Sequence, residues 1–123
     1  MTAKRNDSHS TEFGLWLREQ PEIDSKDGYL ATNIDYLWRN YKTGLWMLIE
    51  EKRYNSQVKR WQKELFDLLN WCASKHPRYR GFHILQFENT GPDDGAVIWD
   101  GEYVTRDQLI QFLRFEPGTT EQP

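Results

Sequence analysis

Leu45-Trp46-Met47-Leu48-Ile49-Glu50-Glu51-Lys52-Arg53 is the stretch on which the fold turns. Five apolar residues run without interruption and then give way to charge. An unbroken apolar run bounded by a turn reads as a buried central strand. The preceding Lys42-Thr43-Gly44 supplies the turn. Side chains alternate along a strand, so Trp46, Leu48, Glu50 and Lys52 share one face. Burial alone would favour another aliphatic residue at positions 50 and 52. A carboxylate and an ammonium there suit phosphodiester hydrolysis: the carboxylate holds a hard divalent cation, and the lysine orients or helps deprotonate a water.

A hard cation needs more oxygens than one carboxylate supplies. Tyr29 to Tyr41 reads as extended chain, with Ile34, Tyr36 and Trp38 alternating. A hairpin through Lys42–Gly44 brings Asp35 near Glu50, making it the natural second ligand. The backbone carbonyl of Glu51 is a candidate third.

Downstream, Ser56 to His76 is predicted as a helix ended by Pro77, with Val58, Trp61, Leu65, Leu68, Leu69 and Cys72 as its apolar stripe. Gly81 to Phe87 reads as a strand that is apolar on both faces, and Thr90 to Gly95 as a turn-rich loop. Ala96–Trp99 and Glu102–Val104 form a hairpin around Asp100-Gly101. A last helix starts at Thr105, whose spacing to Gln108 is that of a capping box. Upstream, Thr11 to Gln20 reads as a short helix capped by Ser10 or Thr11 and stopped by Pro21, with Phe13, Trp16 and Leu17 on one side. Helices then cover both faces of a small mixed sheet.

The chain has 123 residues, one cysteine and a net charge of −3. That length suits one domain, expected over 11–116, with a flexible lead at 1–10 and a flexible tail at 117–123. One cysteine excludes an internal disulfide and fits a reducing cytosol, hence a cytoplasmic location. No run spans a bilayer, and the polar Met1–Ser10 lacks the apolar core of a signal peptide. The negative charge argues against indiscriminate nucleic-acid binding, yet it is uneven. Arg39 to Arg80 holds 10 basic and 4 acidic residues, whereas Gly81 to Pro123 holds 2 and 8.

Asp35, 14 residues, then Glu50-Glu51-Lys52 preceded by Ile49 resembles the PD-(D/E)XK nuclease superfamily, especially its small Holliday-junction-resolvase-like members. Residue 34 is Ile where the family name has proline. The resemblance implies an α/β, restriction-endonuclease-like core, a central mixed β-sheet flanked by helices in an αβββαββα-type order. It implies a Mg²⁺- (or Mn²⁺-) dependent DNA endonuclease, of a kind frequent in phages and bacteria. Asp35 and Glu50 are then metal ligands, with the Glu51 carbonyl, and Lys52 handles the water. Glu12 matches a helical glutamate that often precedes the strands, with Glu19 and Glu22 as weaker candidates. Gln62, four residues before Phe66, matches a glutamine on the following helix, with Gln57 as the alternative. Lys42, Arg53, Lys59, Arg60, Lys63, Arg78 and Arg80 are candidate contacts to the DNA backbone. Few base-reading elements fit in so small a chain, so DNA structure is the expected determinant, and a homodimer would reach two strands. The alternative is an inactive member of the fold acting as a DNA-binding or protein-interaction module. A further alternative is a host-interaction protein in which the motif is accidental.

His83, in an apolar strand, reads as a satisfied core or cleft residue, and His76 as a helix-end residue. Trp16, Trp46 and Trp61 read as packing, and Asp93, Asp94 and Asp100 as turn chemistry. No base is assignable to activate Cys72.

Overall fold

The computed structural model describes residues 12–116. The expected lead, tail and Ser10/Thr11 cap lie outside that range. The chain divides into two compact units, Met1–Thr32 and Asn33–Pro123, and the domain expected over 11–116 spans parts of both.

In the first unit, α1 covers Glu12–Glu19. Phe13 and Trp16, one turn apart on its apolar side, stack with ring centroids 6.0 Å apart and remain exposed, so Trp16 is not the core residue its spacing predicted. Two short 3₁₀ turns follow, Pro21–Ile23 and Ser25–Asp27. Asp24 caps the second by accepting the Lys26 N–H at 3.0 Å.

The second unit is a five-stranded mixed sheet with helices on both faces. Its strands are β1 (Tyr36–Arg39), β2 (Trp46–Lys52), β3 (Tyr79–Phe87), β4 (Val97–Trp99) and β5 (Glu102–Val104), adjacent in that order. Only β2 and β3 run parallel. Such a pair needs a crossover, and α2 (Arg60–Ala73) supplies it. The final helix, α3, covers Arg106–Leu113. Two strands therefore precede α2 and three follow it, which corrects the expected αβββαββα order. The third strand before the helix comes with the family resemblance; the residues themselves read as one extended segment over Tyr29–Tyr41, of which Tyr36–Arg39 pairs with β2, and the Asp100-Gly101 turn divides the chain after β3 into two more strands.

The apolar run of β2 buries as expected. Met47 and Ile49 point to the α3 face, where they join Leu85, Phe87, Val97, Trp99, Leu109 and Phe115 in one core. On the other face α2 packs through Phe66, whose ring stacks on Phe82 at 4.6 Å. Here the predicted stripe is corrected: Trp61, Leu68, Leu69 and Cys72 are exposed, and Phe66 is the buried residue of α2. The helix also starts four residues later than predicted. Between Trp46 and Leu48 the β2–β3 register shifts against Tyr79 and Phe82, and Gly81, at φ +103°, lies in the extra stretch of β3. The Asp100-Gly101 hairpin forms as predicted, with φ of +50° and +88°. Thr105 and Gln108 exchange both bonds of the capping box, at 3.1 and 2.8 Å. No helix among the described residues is long and apolar enough to cross a membrane.

Candidate metal and phosphate site

The β1–β2 pairing matches Tyr36 to Ile49. One step further along the same antiparallel register, Asp35 stands opposite Glu50. The turn that sets this register is held by Asn40, whose side chain accepts the N–H groups of Lys42 at 2.8 Å and Thr43 at 3.2 Å. Asp35 then anchors to the neighbouring strand, its Oδ2 accepting the Glu51 N–H at 2.9 Å.

Glu50 is 5 % exposed, an unusual state for a carboxylate. Its Oε2 lies 3.5 Å from Lys52 Nζ, and its Oε1 is buried with no hydrogen-bond partner. Burial foremost, and the Asp35 carboxylate next, push its pKa upward; Lys52 and the Asp35 backbone N–H oppose them. Lys52 Nζ also donates to Gln62 Oε1 at 3.3 Å. The same oxygen accepts the Lys59 N–H at 3.3 Å, so Gln62 both caps the start of α2 and steadies the ammonium. Gln57 bonds locally to the Asn55 carbonyl at 3.5 Å, which leaves Gln62 as the glutamine beside Lys52.

Asp35, Glu50, Lys52 and Gln62 are thus brought together in the second unit. Glu12, Glu19 and Glu22 belong to the first. A part that the sequence did not disclose is the side chain of Glu51. It accepts from Tyr36 Oη at 3.2 Å and from Arg53 Nε at 2.7 Å, bracing β1 and the end of β2 from the opposite face. Its negative charge, ahead of the hydrogen bond itself, raises the Tyr36 pKa. Strand alternation would have flagged this, because Tyr36, Ile49 and Glu51 share a face.

The other basic candidates separate into two groups. Arg53 is paired with Glu51, Arg60 with Glu64 at 3.6 Å and Lys63 with Asp67 at 3.1 Å. Lys59 is exposed at the start of α2. Lys42 and Arg78 lie at the β1–β2 turn, where the Arg78 side chain passes within 3.9 Å of the position a Gly44 Cβ would take. That end of β2, Trp46, is four residues from Glu50, about 13 Å at the rise of a strand. Arg80 turns its Nη1 to the carbonyls of Pro77 and Tyr79 at 3.1 and 3.0 Å.

His83 is satisfied, as expected. Its Nδ1 lies 2.6 Å from Asp100 Oδ2 and its Nε2 2.7 Å from the Arg80 carbonyl. His76 Nδ1 accepts from Trp46 Nε1 at 3.3 Å.

The residues fit a hard divalent cation. The donors are carboxylate oxygens, and one is buried with a lone pair that nothing in the fold satisfies. Among the described residues no three His, Cys, Asp or Glu side chains form a ready-made cage. Two carboxylates with main-chain, water and phosphate oxygens are the coordination a phosphate-handling Mg²⁺ site uses.

No family model matches the chain, and no solved structure matches it. It is similar to an uncharacterized protein of Archaeoglobus fulgidus, 30% identical over an alignment of 97 positions that covers 63% of this chain. The match spans 62% of that relative's length.

Proposed function

We propose that this protein is a Mg²⁺- or Mn²⁺-dependent DNA endonuclease of the PD-(D/E)XK type, with a restriction-endonuclease-like core. The observation that carries the reading is Glu50: a buried carboxylate with an orphaned oxygen, across the strand pair from Asp35 and 3.5 Å from Lys52. A fold gains nothing from an unsatisfied buried acid, whereas a cation site needs one.

In this reading Asp35, Glu50 and the Glu51 carbonyl hold the cation, which supplies charge stabilisation at the phosphate. Lys52, fixed by Gln62, orients the attacking water and offsets negative charge as it builds. The water oxygen bonds to phosphorus as the bond from phosphorus to the leaving sugar oxygen breaks; of the water's two protons one passes to solvent and the other is relayed through solvent to the departing sugar oxygen. Nothing is oxidised or reduced. Assembly as a homodimer belongs to the same proposal.

The test titrates Mg²⁺ and Mn²⁺ while following cleavage of labelled linear, flap and four-way DNA. Cutting that disappears in Glu50→Ala and in Lys52→Ala, with folding intact, is the expected result. Wild-type protein that binds DNA tightly without cutting it would sink the enzyme reading and favour a binding module.

A further inference from the structure

Four non-glycine residues among those described sit on left-handed backbone: Tyr54 (φ +55°), Asn55 (+58°), Asp100 (+50°) and Phe115 (+56°). Three have a reason inside the fold. Asn tolerates this region. Asp100 belongs to the hairpin turn, and its carboxylate bonds both His83 and the Ile84 N–H. Phe115 is 8 % exposed, so burial of its ring in the α3-side core offsets the strain.

Tyr54 has no such compensation. Its Cβ crowds the backbone as any L-residue's does in this region, and its ring is 65 % exposed. Yet the conformation is tightly imposed. The Ser56 N–H closes the turn onto the Arg53 carbonyl at 3.0 Å, with positive φ at both central positions, where Gly and Asn are the usual occupants. The end of β3 and the residues just past it grip the turn from the side. Tyr54 N–H donates to the Asn89 carbonyl at 3.1 Å, and Asn55 N–H to the Phe87 carbonyl at 3.1 Å. Gln86 Nε2, from the β3 residue beside Lys52, reaches the Ser56 carbonyl at 3.2 Å. A strained residue held this firmly, with nothing returned to the core, points to use outside the fold. What the turn delivers is an exposed aromatic ring on a firmly held backbone, two residues beyond Lys52.

We propose that Tyr54 is a stacking platform for an unpaired nucleobase next to the phosphate at Asp35, Glu50 and Lys52, so that the site takes single-stranded or frayed nucleic acid in preference to intact duplex. The proposal rests on the nuclease reading above. An aromatic face accepts any base, but the bases of an intact duplex are already stacked on one another. With the backbone already held, only the two side-chain torsions of the tyrosine are left to order on binding. A chain of net charge −3 gains little from general phosphate attraction, so stacking supplies affinity that charge does not.

The test uses the full chain as wild type, Tyr54→Phe and Tyr54→Gly. Binding in Ca²⁺ and cleavage in Mn²⁺ are measured on a single-stranded oligonucleotide carrying 2-aminopurine and on the matching duplex. Glycine relieves the backbone strain while removing the ring, so Tyr54→Gly is expected to raise Tm. It is also expected to weaken single-strand binding about 10- to 100-fold, with duplex affinity unchanged. Tyr54→Phe should stay within about twofold of wild type, since the ring face is kept. Single-strand binding that survives Tyr54→Gly overturns the platform, and so does a Tm that falls together with binding. Wild-type protein that cuts neither substrate overturns the nuclease reading, and the 2-aminopurine signal still decides the platform by itself.

Discussion

Glu50 carries the highest stake of any single residue. Its folded pKa lies above its ordinary value of 4.5, raised chiefly by burial. The folded state therefore binds the proton more tightly than the unfolded one. Below pH 4.5 both states are protonated and the residue costs nothing; as pH rises from there through the folded pKa, stability is lost. Without divalent metal, Glu50→Gln is expected to raise Tm at neutral pH. The wild-type deficit relative to the variant should open from about pH 4.5 upward. Added Mg²⁺ or Mn²⁺ should stabilise the wild type by mass action and leave the variant unchanged. Thermal unfolding of both proteins across pH, with and without metal, checks this; a less stable Glu50→Gln in chelator would show that the carboxylate serves the fold. Asp100 offers a contrast on the α3 side. Its carboxylate bonds the nearly enclosed His83 ring at 2.6 Å and the Ile84 N–H at 2.8 Å. Asp100→Ala strands both donors and is expected to cost about 2–4 kcal/mol in urea unfolding.

Elements are joined by particular side chains, and the joint between α2 and β3 can be read by titration. Tyr79 donates to Asn70 Oδ1 at 2.7 Å, and burial pushes its pKa up to about 12. A folded pKa raised from 10 to about 12 means that this joint loses stability between those two pH values. Phenolate absorbance should show one tyrosine ionising late, and Tyr79→Phe should remove its share of the alkaline loss. At this scale the sequence was legible wherever the signal was local. The apolar run of β2, the Asp-Gly hairpin and the Thr105–Gln108 box each carry their conformation within a few residues. It was not legible where partners decide. Ile34, Tyr36 and Trp38 alternate like a strand, but extended chain becomes strand only beside a partner, and β2 offers one only to Tyr36–Arg39. The α2 stripe misled because Trp61, Leu65, Leu68 and Cys72 share a helical face that the sheet does not cover, while Phe66 and Gln62, also one turn apart, face it. The pairing of Asp35 with Glu50 was readable because turn and register are local. The left-handed turn at Tyr54 was not, since it contains no glycine to announce it.

For the molecule as a whole, the question is how a chain with net charge −3 engages a polyanion. Three of the seven candidate cations, Arg53, Arg60 and Lys63, already have carboxylate partners in the fold, and each would give up an ion pair to meet a phosphate. Lys59 stands near the Asp35–Glu50–Lys52 end, and Lys42 and Arg78 stand at the other end of β2, which begins about 13 Å from Glu50. A strand that contacts both ends spans about four nucleotides at about 3.4 Å each, longer than the reacting phosphate requires. Lys42 and Arg78 should therefore govern capture and leave the chemical step alone. The double variant Lys42→Ala/Arg78→Ala is expected to lower the slope of log K against log salt by about 1.4 on single strands, two contacts at about 0.7 each. It should raise KM on long substrates and leave kcat at saturation unchanged. On an oligonucleotide too short to reach the β1–β2 turn the variant should match the wild type. A kcat that falls with KM, or a loss that persists on the short substrate, would show that these two cations act on the reacting phosphate and that the two ends of β2 are not separate in function.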